Sequence, residues 1–416
     1  MNNEKKCGMR RFAKGIEISN DTFLTGLNNN DLIIGGAGSC KTGSYVFNLL
    51  LNPYGSLVVS DTKGLLHKRF DSYLKSLGYQ VYMLDFVNPK DCTMGYNPFN
   101  YIETEMDIKK IATGIMPRLD ARDPFWEKAG IRYICMLIGF IRDNLADTEQ
   151  NMKSVIRLHR EIMYGNGKLL LEHFAKEHPD AYAAKKFKEM TGTAEADKMW
   201  CSIYEFVNEA LEPYGYCELE GIFNNSNNID FRELGRKRTV LFVKGSDNDT
   251  SFHILSTIMF NQILQTLIAE ADKETDGRLK VPVRVVLDDF ASGASIQNFD
   301  NVLSIIRSRE ISASIIIQSL SQLESKYSKA ESASIINNCD HILYMAGRDY
   351  ETSRLVSNYL DKSVHTVLNL PRDKAVVIRS GEGGKIVDKL KAYHVEEDLA
   401  KTLEQDILRA ITFGKQ

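Results

Sequence analysis

No stretch of this sequence is apolar for long enough to cross a bilayer. The most apolar run, Ile131 to Ile141, contains Arg132 and is followed by Arg142, and it falls short of the roughly 20 residues a spanning helix needs. The opening residues, MNNEKKCGMRRFAKG, are polar and basic and show no secretory signal. The chain is therefore expected not to span a membrane and to work in the cytoplasm. Cysteine is sparse: seven residues, Cys7, Cys40, Cys92, Cys135, Cys201, Cys217 and Cys339, are scattered and never spaced as CxxC. That pattern argues against a disulfide framework and a structural zinc site, and it suits a reducing compartment. The eight histidines are equally dispersed, so no metal cluster is legible in them. An excess of one charge is missing too. At a net charge of -3, any nucleic-acid partner has to be held by local patches rather than by the overall field. Internal repeats and low-complexity tracts are absent.

What is present reads as an ordinary globular protein, 43% hydrophobic and 26% charged. Its 416 residues suffice for two domains, or for one large α/β domain carrying an insertion. Short apolar runs rich in Val, Ile and Leu recur between amphipathic segments. LIIGG (Leu32 to Gly36), SLVVSD (Ser56 to Asp61) and QVYMLD (Gln80 to Asp85) read as buried parallel strands. Helical stretches follow the first two, near Thr42 to Leu51 and Leu65 to Leu77. This βαβαβ rhythm predicts an open parallel sheet with helices on its faces.

Between about Glu105 and Ser226 the pattern changes to helical periodicity, with many Lys and Glu residues and both tryptophans, Trp126 and Trp200. We read it as an all-α inserted domain. Strand-like runs then return at Thr239 to Val243, Val283 to Asp288, Ser312 to Ile317, His341 to Met345 and Ala375 to Ser380, with a long helix from about Thr250 to Asp272. SGEGGK (Ser380 to Lys385) reads as a hairpin tip. The expected organisation is a nucleotide-binding domain in two parts, 1–104 and 228–416, flanking a helical domain at 105–227.

The strongest local signal is GGAGSCKT, comprising Gly35, Gly36, Ala37, Gly38, Ser39, Cys40, Lys41 and Thr42. It follows an apolar strand and opens a helix, the context that gives such a pattern meaning. Backbone N–H groups can wrap a phosphate there, and the helix start adds partial positive charge. Lys41 would reach the β and γ oxygens, and the Thr42 hydroxyl would hold Mg2+. Cys40 stands where the pattern has glycine. If that position needs positive φ, a side chain costs about 1–2 kcal/mol.

A second signal is the strand Val283 to Asp288, which ends in Asp288 and Asp289. In a P-loop protein the first acid orients the Mg2+ shell and the second activates the attacking water. Asp289 is one methylene shorter than the usual glutamate, which favours slow turnover. Gln318 closes the strand Ser312 to Ile317, where an amide can sense the γ-phosphate. Arg307 and Arg309 each read as an interface salt bridge or as an arginine finger for a neighbouring subunit, with Arg309 the favoured finger. Lys185, Lys186 and Lys188 read first as a solvated helix face and second as a cargo contact.

In this order, the segments SLVVSDTKG (Ser56 to Gly64), LGYQVYMLDFVNP (Leu77 to Pro89), YNPFNYI (Tyr96 to Ile102), DPFW (Asp123 to Trp126), LDDFAS (Leu287 to Ser292), IRSREISASIIIQSLSQL (Ile306 to Leu323) and NCDHILYMAGRD (Asn338 to Asp349) resemble the TraG-like type IV secretion coupling proteins. The likeness runs from about Leu32 to His394. It implies a RecA-like P-loop core, ATP and Mg2+ as cofactors, a homo-hexameric ring at the inner face of the membrane, and DNA with its relaxase as cargo. That family usually carries N-terminal transmembrane helices. Their absence here implies docking on membrane-anchored components of the secretion system. The resemblance departs at Cys40, at Asp289, and at DTKGL, where Thr62 and Leu65 replace proline and glutamate. Those departures motivate a second reading, a degenerate nucleotide-binding adaptor with little hydrolysis. A related DNA translocase or helicase is the third.

Overall fold

The computed structural model describes residues 8–116, 125–191, 196–223, 227–245, 251–290 and 296–391. Cys7, the Asp123–Pro124 half of DPFW, Ala291, Ser292 and His394 lie outside the described residues. The chain divides into two compact units. The first combines Met1–Met83, Asp230–Asp247 and Leu264–Gln416, and the second Leu84–Ile229 with Asn248–Ile263. The division falls at Met83 rather than at residue 104, so YNPFNYI packs with the helical unit. One reason is Tyr96, whose hydroxyl donates to Gln262 Oε1 at 2.5 Å inside that unit.

Eleven strands are present among the described residues: β1 (Met9–Ala13), β2 (Ile16–Ser19), β3 (Asp31–Ile34), β4 (Ser56–Ser60), β5 (Gln80–Asp85), β6 (Thr239–Lys244), β7 (Val283–Leu287), β8 (Ile311–Ile317), β9 (His341–Tyr344), β10 (Lys374–Arg379) and β11 (Gly383–Asp388). Nine of them form one sheet in the order β11-β10-β9-β3-β8-β7-β4-β6-β5. Pairing is parallel from β9 through β3, β8, β7 and β4 to β6, and antiparallel at β10 and β11. The parallel strands are apolar on both faces because both are covered. Leu32, Ile33, Ile34, Ile315, Ile316 and Ile317 are each 0% exposed. On one face Ile33, Val59, Phe242 and Ile316 pack with Tyr45, Leu50, Phe70 and Leu74 from the two helical segments that follow β3 and β4. SGEGGK is the tip joining β10 to β11, with Arg379 paired to Gly383.

The N-terminal hairpin β1-β2 was not legible in the polar opening of the sequence. Its Arg10 is buried at 3% exposed because it reaches Asp31 at the start of β3, with Nε at 2.9 Å and Nη2 at 2.8 Å. Asp31 also accepts from Arg284 of β7 at 2.9 Å and from the Tyr45 hydroxyl at 2.5 Å. Burial alone would raise the Asp31 carboxyl. The two guanidiniums and His341 reverse this, and the net direction is down.

Between residues 105 and 223 the described part of the second unit contains helices and short helical turns and no strand. Its longest helix, Phe125–Asn144, buries Tyr133 against His159, Trp200 and Tyr204. The helix Glu105–Ile115 starts on a capping box in which Thr104 and Asp107 satisfy each other's backbone N–H groups. On Tyr182–Thr191, Lys186 pairs with Glu189 at 2.8 Å while Lys185 and Lys188 are exposed, as a solvated face requires. Among the described residues no helix is long and apolar enough to cross a membrane.

Candidate nucleotide-binding site

The parallel strands β3, β4, β6, β7, β8 and β9 end on one edge of the sheet, where ligands of open α/β folds bind. Gly35 to Thr42 leave β3 there. The Gly35 N–H donates to Ile317 O at 3.2 Å, and the Gly36 N–H to Ala346 O at 3.0 Å. These two amides tether the loop to the ends of β8 and β9 and do not face an anion. Their carbonyls hold Lys41, whose Nζ lies 2.6 Å from Gly35 O and 3.4 Å from Gly36 O. Gly35 has no room for a side chain, since a Cβ there would meet Ser39 Oγ at 2.5 Å. Ser39 Oγ is itself buried without a partner.

Cys40 has φ +63°, the left-handed conformation that glycine accepts freely. The condition set by the sequence therefore holds, and the thiol sits on a strained backbone. After Lys41 the chain opens as a wide turn over Thr42–Val46, closed by the Phe47 N–H on Thr42 O, before tightening into the α-helix Phe47–Leu51.

Thr42 and Asp288 meet directly, with Oγ1 donating to Oδ2 at 2.6 Å. Asp288 Oδ1 accepts the Asp289 N–H at 3.1 Å. Burial pushes the Asp288 carboxyl up to about 6, assisted by Asp289 and opposed by Thr42 and Lys41. Burial lowers the Lys41 ammonium, with Asp289 and Asp288 opposing. Asp289 has φ +50°, a conformation Asp tolerates better than most residues.

Beside this pair lies a cavity of about 620 Å3 lined by Thr42, Asp61, Lys63, Arg69, Asp288 and Asp289 among others. The sequence reading missed Asp61, Arg69 and Lys389 as parts of the site. Asp61 ends β4 as Asp288 ends β7, and that repetition was a usable signal. It accepts the N–H groups of Leu65 and His67 at 3.1 and 2.9 Å and so caps the helix Leu65–Ser76. Lys389, just past β11, donates to Ser39 O at 3.1 Å and braces the loop from behind. Nothing local in the sequence announces either Arg69 or Lys389.

Gln318 stands at the same sheet edge, at the end of β8 between β3 and β7, and is exposed. Arg309 is not brought to the site within the chain. It precedes β8, at the opposite edge, about 20 Å away at the usual rise per residue. There its Nε binds Asp272 at 2.8 Å and its Nη1 the Ile305 carbonyl at 2.9 Å.

The donor set fits Mg2+ carried on a phosphate. Magnesium takes one or two carboxylate or hydroxyl oxygens and leaves the rest of its shell to water and phosphate, and the Thr42–Asp288 pair offers that much and no more. Among the described residues no group of three acidic, His or Cys side chains could hold a metal alone. The orphaned Ser39 hydroxyl and the self-held Lys41 ammonium fit a loop built to close on an anion.

A parallel sheet in this order, with a strand–loop–helix ending in Lys-Thr and an acid closing a strand two places away, defines the RecA-like P-loop nucleotide-binding fold. The model of the type IV secretory system conjugative DNA transfer family matches residues 9–366. The chain belongs to that family. No curated protein matches it. Among solved structures, the unbound bacterial conjugative coupling protein TrwBdeltaN70 is 16% identical, with a TM-score of 0.72 over 94% of this chain and 90% of that one. The plasmid coupling protein TrwB in complex with ADP and Mg2+ has the same identity and coverage at a TM-score of 0.71. At such identity the likeness establishes the shared fold.

Proposed function

We propose that this chain is the coupling ATPase of a conjugative type IV secretion system, binding ATP with Mg2+ at the loop Gly35–Thr42. The observation that carries this reading is the 2.6 Å contact between Thr42 and Asp288, two residues from separate strand ends that meet beside a lysine-closed loop. Family membership and the TrwB complexes with ADP and Mg2+ or with an ATP analogue support the choice of ligand. Lys41 exchanges the Gly35 and Gly36 carbonyls for phosphate oxygens, and the amides of Gly38 to Thr42 complete the anion cradle. Thr42 and Asp288 hold Mg2+, which when bound neutralises charge on the phosphates. Asp289 orients the attacking water and accepts its proton, and Gln318 senses the terminal phosphate. Arg309 acts on a neighbouring subunit's site in a homo-hexamer, released from Asp272.

The cargo in this reading is relaxase-bound single-stranded DNA, gripped through its phosphates and therefore sensitive to salt. The ring works at the inner face of the membrane, docked on membrane-anchored secretion components. ATP hydrolysis measured with and without single-stranded DNA tests the proposal. DNA-stimulated turnover that Lys41→Ala abolishes is expected; turnover insensitive to Lys41→Ala would remove the reading. Two strained positions, Cys40 at φ +63° and Asp289 at φ +50°, favour the adaptor as the second reading, in which nucleotide binds and turnover is negligible.

A further inference from the structure

The cavity beside Thr42 and Asp288 is lined by two cations that the sequence motifs do not account for, Lys68 and Arg69. Arg69, the fifth residue of the helix Leu65–Ser76, lines it. Its guanidinium carbon lies 5.1 Å from the centroid of the Phe47 ring. Phe47 is itself 8% exposed and fixed edge-on against Phe70 at 5.2 Å. The guanidinium therefore rests on an immobile aromatic plate one helical turn below Thr42. Such stacking orients it and lowers the cost of removing water from it.

Among the described residues Arg69 also lacks a counter-charge. Its Nε is buried without a partner, and no carboxylate among the described residues lies within ion-pair distance. Two of the three acids lining the cavity are already engaged, Asp61 by the Leu65 and His67 amides and Asp288 by Thr42 and the Asp289 amide, and the third, Asp289, forms no ion pair with Arg69. Lys63 and Lys68 share the cavity but are exposed and hydrated. A partly buried arginine with an unmatched N–H marks a place where an anion arrives from solution.

From this arrangement we infer that Arg69 reads the terminal phosphate of a bound nucleoside triphosphate and is supplied by the same chain that holds the nucleotide. The inference rests on the nucleotide-binding reading above. The cavity opens on the side of Thr42 and the two acids, where the terminal phosphate of a P-loop ligand lies, whereas the other phosphates face the loop amides. An arginine there distinguishes triphosphate from diphosphate and contributes little to binding either the base or the β-phosphate.

The test is a pair of calorimetric titrations on the full chain, one with a non-hydrolysable ATP analogue and one with ADP, both with Mg2+. A charge-assisted contact of this kind corresponds to roughly a tenfold to hundredfold change in affinity. Arg69→Ala is expected to weaken the triphosphate analogue by at least tenfold and ADP by less than about twofold. Arg69→Lys is expected to recover part of the difference, and it carries the test if the alanine variant fails to fold. Equal loss for both ligands, or no loss for either, overturns the inference and leaves nucleotide binding intact. Failure of the wild-type protein to bind either nucleotide overturns both readings together.

Discussion

The Lys41 ammonium donates to the Gly35 carbonyl at 2.6 Å, six positions back along its own loop. The loop is thus closed on the cation that an anion would claim, and burial already disfavours the charged form of that lysine. An incoming phosphate replaces two neutral carbonyls with charged oxygens and relieves both conditions. Lys41→Ala is expected to abolish nucleotide binding while leaving thermal unfolding within a few degrees of wild type. Retained binding in that variant, measured by calorimetry, would show that the ligand sits elsewhere.

Cys40→Gly removes a side chain from a left-handed backbone at φ +63°. The relief is about 1–2 kcal/mol, offset by about 0.4–1 kcal/mol of extra freedom in the unfolded chain. A net gain of roughly 0.5–1 kcal/mol is expected in denaturant unfolding. Hydrolysis should also accelerate as the loop gains room to close. Unchanged stability and turnover would mean that the thiol is accommodated without strain.

Asp288 carries a buried carboxyl raised to about 6 by desolvation, so holding it ionised at neutral pH costs stability. Asp288→Asn keeps an acceptor for the Thr42 hydroxyl and removes the charge. The variant is expected to unfold at a higher denaturant concentration than wild type, by about 1–3 kcal/mol, and to lose the effect of Mg2+ on nucleotide affinity. A destabilised variant would contradict this account of the site.

Two buried histidines set the acid limit of the fold. Burial lowers His341 and His159 to about 4 from 6.5, and each is 1% exposed. At His341 the Arg10 guanidinium faces Nδ1 at 3.1 Å, which requires the neutral ring. Between pH 4 and 6.5 the unfolded rings bind protons that the folded ones refuse. Stability is therefore complete above about pH 6.5 and falls on acidification towards pH 4, by on the order of 3 kcal/mol per ring. Asp31, held low, adds a further loss below its unfolded value of 3.8. Denaturant unfolding at pH 7, 5.5 and 4.5 should show this decline, and His341→Gln should reduce it.

Asp31 is clamped by Arg10 and Arg284, and removing the acid leaves two buried guanidiniums unmatched. Asp31→Ala is expected to cost about 3–5 kcal/mol, whereas Arg11→Ala, which breaks the exposed pair with Glu17, costs under about 1 kcal/mol. Circular dichroism melts of the two variants separate these outcomes.

The parallel strands were legible because burial on both faces leaves runs such as Leu32–Ile34 and Ile315–Ile317 with no polar alternation. The same logic exposed the P-loop and the acid of β7, since each directly follows such a run. It failed where polar residues are buried in pairs. Arg10 looks like part of a basic tail until Asp31, twenty-one positions later, is placed beside it. It failed again at Arg69, whose meaning depends on the ring of Phe47 beneath it. Arg309, read as a finger for a neighbouring subunit, stands in the folded chain at the far edge of the sheet, tied to Asp272.

The proposed site requires that Thr42 and Asp288 jointly hold the metal of a bound nucleotide. Calorimetry of a non-hydrolysable ATP analogue, with and without Mg2+, on wild type and Thr42→Ala measures this directly. Wild type should bind one nucleotide per chain and bind it more tightly with Mg2+, while Thr42→Ala should bind with the same weaker affinity whether or not Mg2+ is present. Equal Mg2+ dependence in both proteins, or no uptake by the wild type, would contradict it.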